Sequence, residues 1–114
     1  MNKDLNNLPE DTLKEYYELT ERFKELSEVE QSQKEFLSFV KSQWPNFIEG
    51  HHHKIVADAF NRIADGTLKR LIINMPPRHT KSEFASFLLP AWLIGHNPKL
   101  KIIQTTHTAE LAVR

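Results

Sequence analysis

Apolar residues in the first part of the chain recur at the spacing of an α-helix. Four of them fall at i, i+3, i+7 and i+10 in an otherwise charged segment: Tyr16, Leu19, Phe23 and Leu26. This spacing places all four side chains on one helix face. The pattern Asn7-x-x-Glu10, with Pro9 in the first turn, is typical of a helix start. We therefore predict a helix over about residues 9–30, with an apolar stripe that needs a partner surface.

Two further helices are predicted downstream. Ser32-x-x-Glu35 has the form of a capping box and would open the second helix. That helix should stop near Trp44, because the proline after Trp44 disfavours α geometry in the residue before it. A third helix is predicted over about residues 52–64, where the apolar face consists of Ile55, Val56, Ala59, Phe60 and Ile63. Gly66 is placed to end it in a left-handed conformation.

The second half of the chain contains two segments with the character of strands. Residues 69–74 have a continuous apolar centre without alternation, which is typical of a strand buried on both faces of a parallel sheet. A second short strand is predicted over residues 101–105. Residues 81–94, between them, have helical periodicity, and Pro90 should kink or shorten this helix. The order of strand, helix and strand is a βαβ unit. A further helix is predicted from Ala109.

The segment between the first predicted strand and its helix has features of a phosphate-binding loop. Residues 75–82 end in Lys81-Ser82 at a helix start, as in the motif G-x-x-x-x-G-K-[ST], but Met75 and Thr80 occupy the two glycine positions. In such a loop, backbone N–H groups and the helix dipole attract phosphates. We predict that Lys81 neutralises the β- and γ-phosphates of ATP as a catalytic group, and that the Ser82 hydroxyl is a ligand of Mg²⁺.

The rest of the loop completes the predicted cofactor-binding set: Pro76, Pro77, Arg78, His79, Thr80, Lys81 and Ser82. Thr80 is the main physical objection, because a side chain at a glycine position limits backbone approach and disfavours positive φ. Arg78 could reach the γ-phosphate as a catalytic group, or pair with Glu83 on the surface. The two prolines would stiffen the loop before phosphate binds. The alternative roles of Lys81 and Ser82 are a solvated lysine and a plain N-cap.

Histidines and threonines outside the loop are further candidates. Residues 51–53 are three adjacent histidines, which point in different directions and lack a ligand partner at i+4 spacing, so a metal site is not predicted there. We predict instead that His52 or His53 borders the adenine of a bound nucleotide. Residues 105–108, at the end of the second predicted strand, lie where ligands gather in open α/β sheets. Turn and capping roles account for these residues equally well.

Composition adds limits and one asymmetry. The 114 residues include no cysteine, which excludes disulfides and thiolate metal sites. No apolar run approaches the ~20 residues of a membrane span, and no apolar signal core follows the first methionine. Within a net charge of zero, residues 1–50 carry eleven acids and six bases, whereas residues 51–114 carry four acids and nine bases. The basic half has the sign expected for binding phosphate and DNA, and solvated helices would equally explain the acidic half.

Residues 70–83 resemble the variant Walker A segment of the large subunit of tailed-bacteriophage terminases, whose usual form is P-P-R-H-G-K-S. The resemblance covers about residues 36–114, with His52, His53 and Gly66 upstream of the loop, and Thr80 departs from the family's glycine. It implies an α/β fold in which N-terminal helices precede the first βαβ of a P-loop NTPase (RecA-like) parallel sheet, incomplete in this chain.

The same resemblance implies a motor that uses ATP and Mg²⁺ to move DNA into a procapsid. Lys81 and Ser82 would hold triphosphate and Mg²⁺, Arg78 would sense phosphate or act catalytically, and the adenine-side histidines would be His52 or His53. The implied partners are double-stranded DNA, the portal protein and a small terminase subunit. The implied setting is a homo-oligomeric ring without membrane contact, at the procapsid portal vertex in the host cytoplasm.

We expect two regions: an acidic amphipathic helical arm over residues 1–31, and the N-terminal portion of a P-loop ATPase domain over residues 32–114. The second region would end before the acidic Walker B residues, and the nuclease carboxylates of the parent protein would also lie beyond it. The chain alone should then not turn over ATP. Two alternatives stay open, namely another P-loop enzyme such as a helicase-like translocase, and a truncated non-catalytic binding module.

Overall fold

The computed structural model describes residues 9–108 and residue 110. Its helices are α1 (Glu10–Lys34), α2 (Phe36–Gln43), α3 (His51–Ala64) and α4 (Leu89–His96), and a π-helical segment, Glu83–Leu88, runs directly into α4. The helices predicted near residues 9–30 and 52–64 are α1 and α3. Gly66 follows α3 with φ 82, in the left-handed region, as predicted. Asn7, in the predicted start of α1, and most of the helix predicted from Ala109 lie outside the described residues.

No β-strand forms within residues 9–108. Residues 68–76 and 100–106 contain the two predicted strands, and they are irregular single segments in which Ile72 and Ile103 are 87% and 89% exposed. A strand needs a partner for its backbone N–H and C=O groups as well as an apolar sequence, and neither segment has such a partner in the described chain. The predicted α/β fold with a βαβ unit of a P-loop parallel sheet is therefore wrong: the described chain is helical.

The start of α2 also differs from the capping-box prediction. Ser32 lies inside α1, and its hydroxyl donates to the Val29 carbonyl at 2.8 Å, a local hydrogen bond that serine commonly makes within helices. The chain turns at Glu35, which has extended φ and ψ of −126° and 127°. The Phe36 amide then donates to Oδ1 of Asn61 on α3 at 2.9 Å. A neighbouring helix therefore caps α2.

A small aromatic core holds α2, α3, the π-helical segment and α4 together. Phe36 lies at its centre, 0% exposed, with ring centroids 5.0 Å from Phe60, 5.4 Å from Phe84 and 5.6 Å from Trp92. All three pairs are edge-to-face, one of the arrangements that aromatic rings prefer. The other buried apolar residues are Val40, Val56 and Ala57. This core adjoins the loop formed by residues 75–82, because Met75 packs against it and Phe84 lies two residues after Ser82.

α1 reaches this core near its C-terminal end. There the indole Nε1–H of Trp92 donates to the carbonyl of Ser32 at 3.0 Å. No residue of α1 is buried, and Phe23 in the middle of its apolar stripe is 75% exposed. The described chain therefore does not supply the partner surface that the stripe was predicted to need. None of the described helices is both long and apolar enough to cross a membrane.

Pro90 accounts for the π-helical segment. Because proline has no backbone N–H, the carbonyl of Ser86, four residues earlier, loses its usual helical donor. That carbonyl accepts a hydrogen bond from the side-chain amide of Gln104. The Leu89 amide donates to the Phe84 carbonyl, five residues back, which is the π-helical spacing. The kink predicted at Pro90 thus takes the form of a widened turn, and Gln104 attaches residues 100–106 to it.

A candidate phosphate-binding loop

Residues 75–82 form a turn that connects the irregular segment before them to a helical turn at Lys81 and Ser82, which runs into the π-helical segment. Two of them have left-handed backbone conformations, Arg78 with φ 64 and Thr80 with φ 58. For a β-branched residue such as threonine this conformation is rare, and each residue held in it costs on the order of 1–3 kcal/mol. Thr80 thus takes the backbone conformation that a glycine would adopt there. Because its side chain disfavours positive φ, the loop is strained at this residue.

The loop encloses an open depression of about 420 Å³, which we call the loop depression and which is lined by residues 75–83. Its lining includes every loop residue predicted to bind the cofactor: Pro76, Pro77, Arg78, His79, Thr80, Lys81 and Ser82. The Nζ of Lys81 reaches back to the Met75 carbonyl at 3.4 Å, which is longer than a strong hydrogen bond. Within residues 9–108, the amides of Lys81 and Ser82 donate to no backbone carbonyl. Free amides, a helix N-terminus and an ammonium group together favour an anion.

A chain of hydrogen bonds connects α3 to this loop through His53. The Gly50 amide donates to Nδ1 of His53 at 2.8 Å, and Nε2 of His53 lies 2.7 Å from Oγ1 of Thr80. The Thr80 hydroxyl in turn donates to the His79 carbonyl at 2.6 Å. Because Nδ1 accepts from an amide, the proton of the neutral ring must be on Nε2, where it is donated to Thr80. The ring is therefore neutral, and both of its nitrogens are used.

The surroundings of His53 favour this neutral form. Burial lowers the pKa of His53, and the neighbouring His52 and then His79 lower it further, whereas Glu49 acts in the opposite direction. Desolvation and nearby positive charge both disfavour an imidazolium. Glu49 is itself paired with Lys41 and Lys54. Neutrality matters here, since a proton on Nδ1 would eliminate the acceptor for the Gly50 amide.

His52 differs from His53 in what its ring can still bind. Its centroid lies 3.8 Å from that of His53 and 5.6 Å from that of His79, and its Nε2 is buried without a hydrogen-bond partner. The ring also lines an apolar cleft of about 290 Å³ between α3 and residues 71–75. Of the two histidines predicted to border adenine, His52 therefore keeps a free ring nitrogen beside an apolar cleft, and His53 does not.

The side chains of Ser82 and Arg78 are also available. Ser82 makes no capping hydrogen bond with its hydroxyl. No ion pair joins Arg78 to Glu83 within the described chain. His79 is exposed, and its Nδ1 lies 3.0 Å from the Pro77 carbonyl. The alternative roles considered for Ser82 and Arg78, an N-cap and a surface pair, are thus not formed in this structure.

Other parts of the described chain offer weaker sites. Residues 105–108 do not line the loop depression, and the Thr106 hydroxyl donates to the Thr108 carbonyl at 2.7 Å, which is a turn role. A larger cleft of about 460 Å³ lies between α1 and α4, but no lysine or arginine lines it. The described residues contain no group of three or more acidic, histidine or cysteine side chains placed to hold a metal ion.

The link between His53 and Thr80 was not predicted from the sequence. The two residues are 27 positions apart, and no periodicity pairs them. The only signal was the threonine at a glycine position, since a strained residue needs neighbours that hold it. Comparison of the chain with known protein families, curated proteins and solved structures finds no match. Its function is therefore proposed from its own residues, from their geometry and from the resemblance of residues 70–83.

Proposed function

We propose that residues 75–82 bind the triphosphate of Mg·ATP, and that the chain is the ATP-binding part of the large subunit of a DNA-packaging terminase. The shape of the loop carries the proposal. Left-handed residues at Arg78 and Thr80 stand immediately before a helix N-terminus, and turns of this kind direct successive N–H groups toward an anion. The resemblance of residues 70–83 to the terminase segment supports the wider role.

Each polar side chain of the loop has a separate role in this proposal. The ammonium of Lys81 leaves the Met75 carbonyl and contacts the β- and γ-phosphates. Arg78 binds the γ-phosphate through two N–H groups and stabilises the charge that develops during phosphoryl transfer. The Ser82 hydroxyl supplies one of the oxygen ligands that Mg²⁺ prefers. When bound, Mg²⁺ neutralises phosphate charge in the transition state.

The proposed reaction is attack by water in line with the γ-phosphate. The bond between the γ-phosphorus and the β–γ bridging oxygen breaks, and ADP and inorganic phosphate are released. Glu83 is the only carboxylate among the residues that line the loop depression, and we assign the activation of water to an acidic group from elsewhere in the motor. The excess of bases in residues 51–114 suits double-stranded DNA as a partner. The portal protein, a small terminase subunit and further copies of the subunit in a ring are the other proposed partners.

Calorimetric titration with Mg·ATP tests the phosphate-binding role. Lys81→Ala removes a charge-assisted contact, so we expect affinity to fall about 10-fold or more. Lys24→Ala removes the same charge from the exposed surface of α1 and should leave affinity unchanged. Equal affinity in wild type and Lys81→Ala would contradict the proposal.

The metal role of Ser82 has its own test. Ser82→Ala should weaken binding of Mg·ATP and leave unchanged the binding of ATP in the presence of a chelator, because only the former uses the hydroxyl as a metal ligand. A similar loss under both conditions would show that Ser82 contacts phosphate or supports the loop instead.

A further inference from the structure

We infer that His53 is a positioning residue for the phosphate-binding loop: its ring holds Thr80 in the left-handed conformation and so fixes the shape of the loop depression. His53 affects nucleotide binding only if the loop binds phosphate, as proposed above, whereas its hold on Thr80 does not depend on that function. The adenine contact predicted for His53 from the sequence stays a prediction.

The His53 ring is held by neighbouring aromatic rings and by a hydrogen bond at Nδ1. Its centroid lies 4.8 Å from the ring of Phe47 and 5.1 Å from that of Phe84, and the residue is 6% exposed. Nδ1 is held by the amide of Gly50. With the ring held in this way, the Nε2–H is a donor of fixed position, and the atom that it meets is Oγ1 of Thr80.

Thr80 requires such a contact because its side chain opposes the backbone conformation that the loop uses. A glycine at this position would adopt positive φ without a side-chain clash. Threonine is stable there only when surrounding contacts hold it. The hydroxyl of Thr80 is held from two sides, by the ring of His53 and by the carbonyl of His79. Without His53, we expect Thr80 to relax to a more common conformation and to turn the amides of Lys81 and Ser82 away from the depression.

Protonation offers a second way to disturb the same contacts. An imidazolium carries a proton on Nδ1, so it cannot accept from the Gly50 amide. The titratable and charged groups near the ring are His52, His79 and Glu49, the last of which is paired with Lys41 and Lys54. Burial and the two histidines lower the pKa of His53. Nucleotide affinity should therefore stay constant near neutral pH and fall in mild acid, as His53 becomes protonated.

Two substitutions separate the two nitrogens of His53. His53→Asn keeps an acceptor near the position of Nδ1, so the Gly50 amide remains satisfied, but it loses the donor to Thr80. His53→Gln keeps an N–H near the position of Nε2. Both are made in the whole chain, alone and together with Thr80→Gly. One readout is the affinity for Mg·ATP, and the other, without nucleotide, is the rate of tryptic cleavage after Arg78 and Lys81.

We expect His53→Asn to weaken Mg·ATP binding about 10-fold, the effect of losing one hydrogen bond in the loop, and to speed cleavage within the loop. His53→Gln should retain most of the affinity and show a flatter pH profile than wild type. Thr80→Gly removes the strain. In a variant that already carries it, adding His53→Asn should have little further effect on either readout. Such non-additivity is expected of residues that act through one contact.

Two results would overturn the positioning role. One is cleavage at the wild-type rate in His53→Asn. The other is an equal loss of loop protection from His53→Asn in the wild-type and Thr80→Gly backgrounds, which would indicate a general effect on folding. The proposed phosphate-binding function is tested separately, by Lys81→Ala. If that variant binds Mg·ATP like wild type, the phosphate-binding role fails, and the cleavage experiment still decides the role of His53.

Discussion

Comparing glycine with alanine at position 78 tests whether the loop has the backbone conformation described above. Arg78 has φ 64 and is exposed, and its side chain makes no ion pair within the described residues. Both substitutions remove the same guanidinium group, so the difference between them reports on the backbone. Alanine keeps the Cβ that opposes positive φ, whereas glycine removes it.

The expected difference follows from two opposing effects. A left-handed conformation costs an L-residue roughly 1–2 kcal/mol. Glycine loses more conformational entropy on folding, which costs about 0.5–1 kcal/mol relative to alanine. Taking the middle of each range, we expect Arg78→Gly to be more stable than Arg78→Ala by about 0.75 kcal/mol, which corresponds to a rise of about 3–6 °C in Tm for a domain of this size.

Urea denaturation followed by far-UV circular dichroism measures this difference. Glu21, an exposed residue in the middle of α1, gives a matched control. There the order should reverse, with Glu21→Ala more stable than Glu21→Gly by about 1 kcal/mol, because glycine is a poor helix former. Alanine equal to or better than glycine at position 78 as well would refute the left-handed conformation, and with it the anion-binding shape of the loop.

Two further predictions concern the core and its histidine. Phe36→Ala removes the ring that contacts Phe60, Phe84 and Trp92, and it should lower the free energy of unfolding by about 3–5 kcal/mol. Phe23→Ala on exposed α1 should change it by no more than about 0.5 kcal/mol. Similar losses for the two variants in urea denaturation would show that the core is elsewhere. Because the pKa of folded His53 is lowered, the unfolded chain binds more protons, so stability should be constant above about pH 6.5 and fall as pH drops from there through the folded pKa. His53→Asn should remove that part of the pH dependence, and an unchanged profile in this variant would contradict the assignment.

The sequence was most informative where a local pattern was sufficient. The helices α1 and α3 and the left-handed position of Gly66 each depend on neighbours within a few residues, and all three are present. The apolar face predicted for α3 is only partly correct, because Val56 and Phe60 are buried whereas Ile55 is 60% exposed. Residues 69–74 show the limit of such patterns. An apolar run indicates a preference for burial, but a strand also needs a second strand beside it, and nothing in the run specifies that partner.

The candidate site also has features that a local pattern predicts and features that depend on residues distant in sequence. The position of the loop and the identity of Lys81 and Ser82 follow from a local motif. The motif requires a left-handed conformation at Thr80, and propensity alone argues against that conformation. Contacts formed in three dimensions override the propensity, and they come from α3, which is distant in sequence. The capping of α2 by Asn61 was missed for the same reason.

At position 80, a side-chain contact takes the place of the conformational freedom that a glycine would provide. A glycine adopts positive φ freely, but it has no side chain through which the rest of the protein can hold it. Thr80 is strained, yet its hydroxyl is attached to His53, whose ring packs against Phe47 and Phe84. Phe84 in turn packs against Phe36 at the centre of the core, and it lies two residues after the end of the loop in the chain. The loop is thus attached to the same aromatic cluster at two points, through Thr80 and through Phe84. In the described chain its shape is therefore set by helix packing, and it does not require the glycines that the usual motif contains.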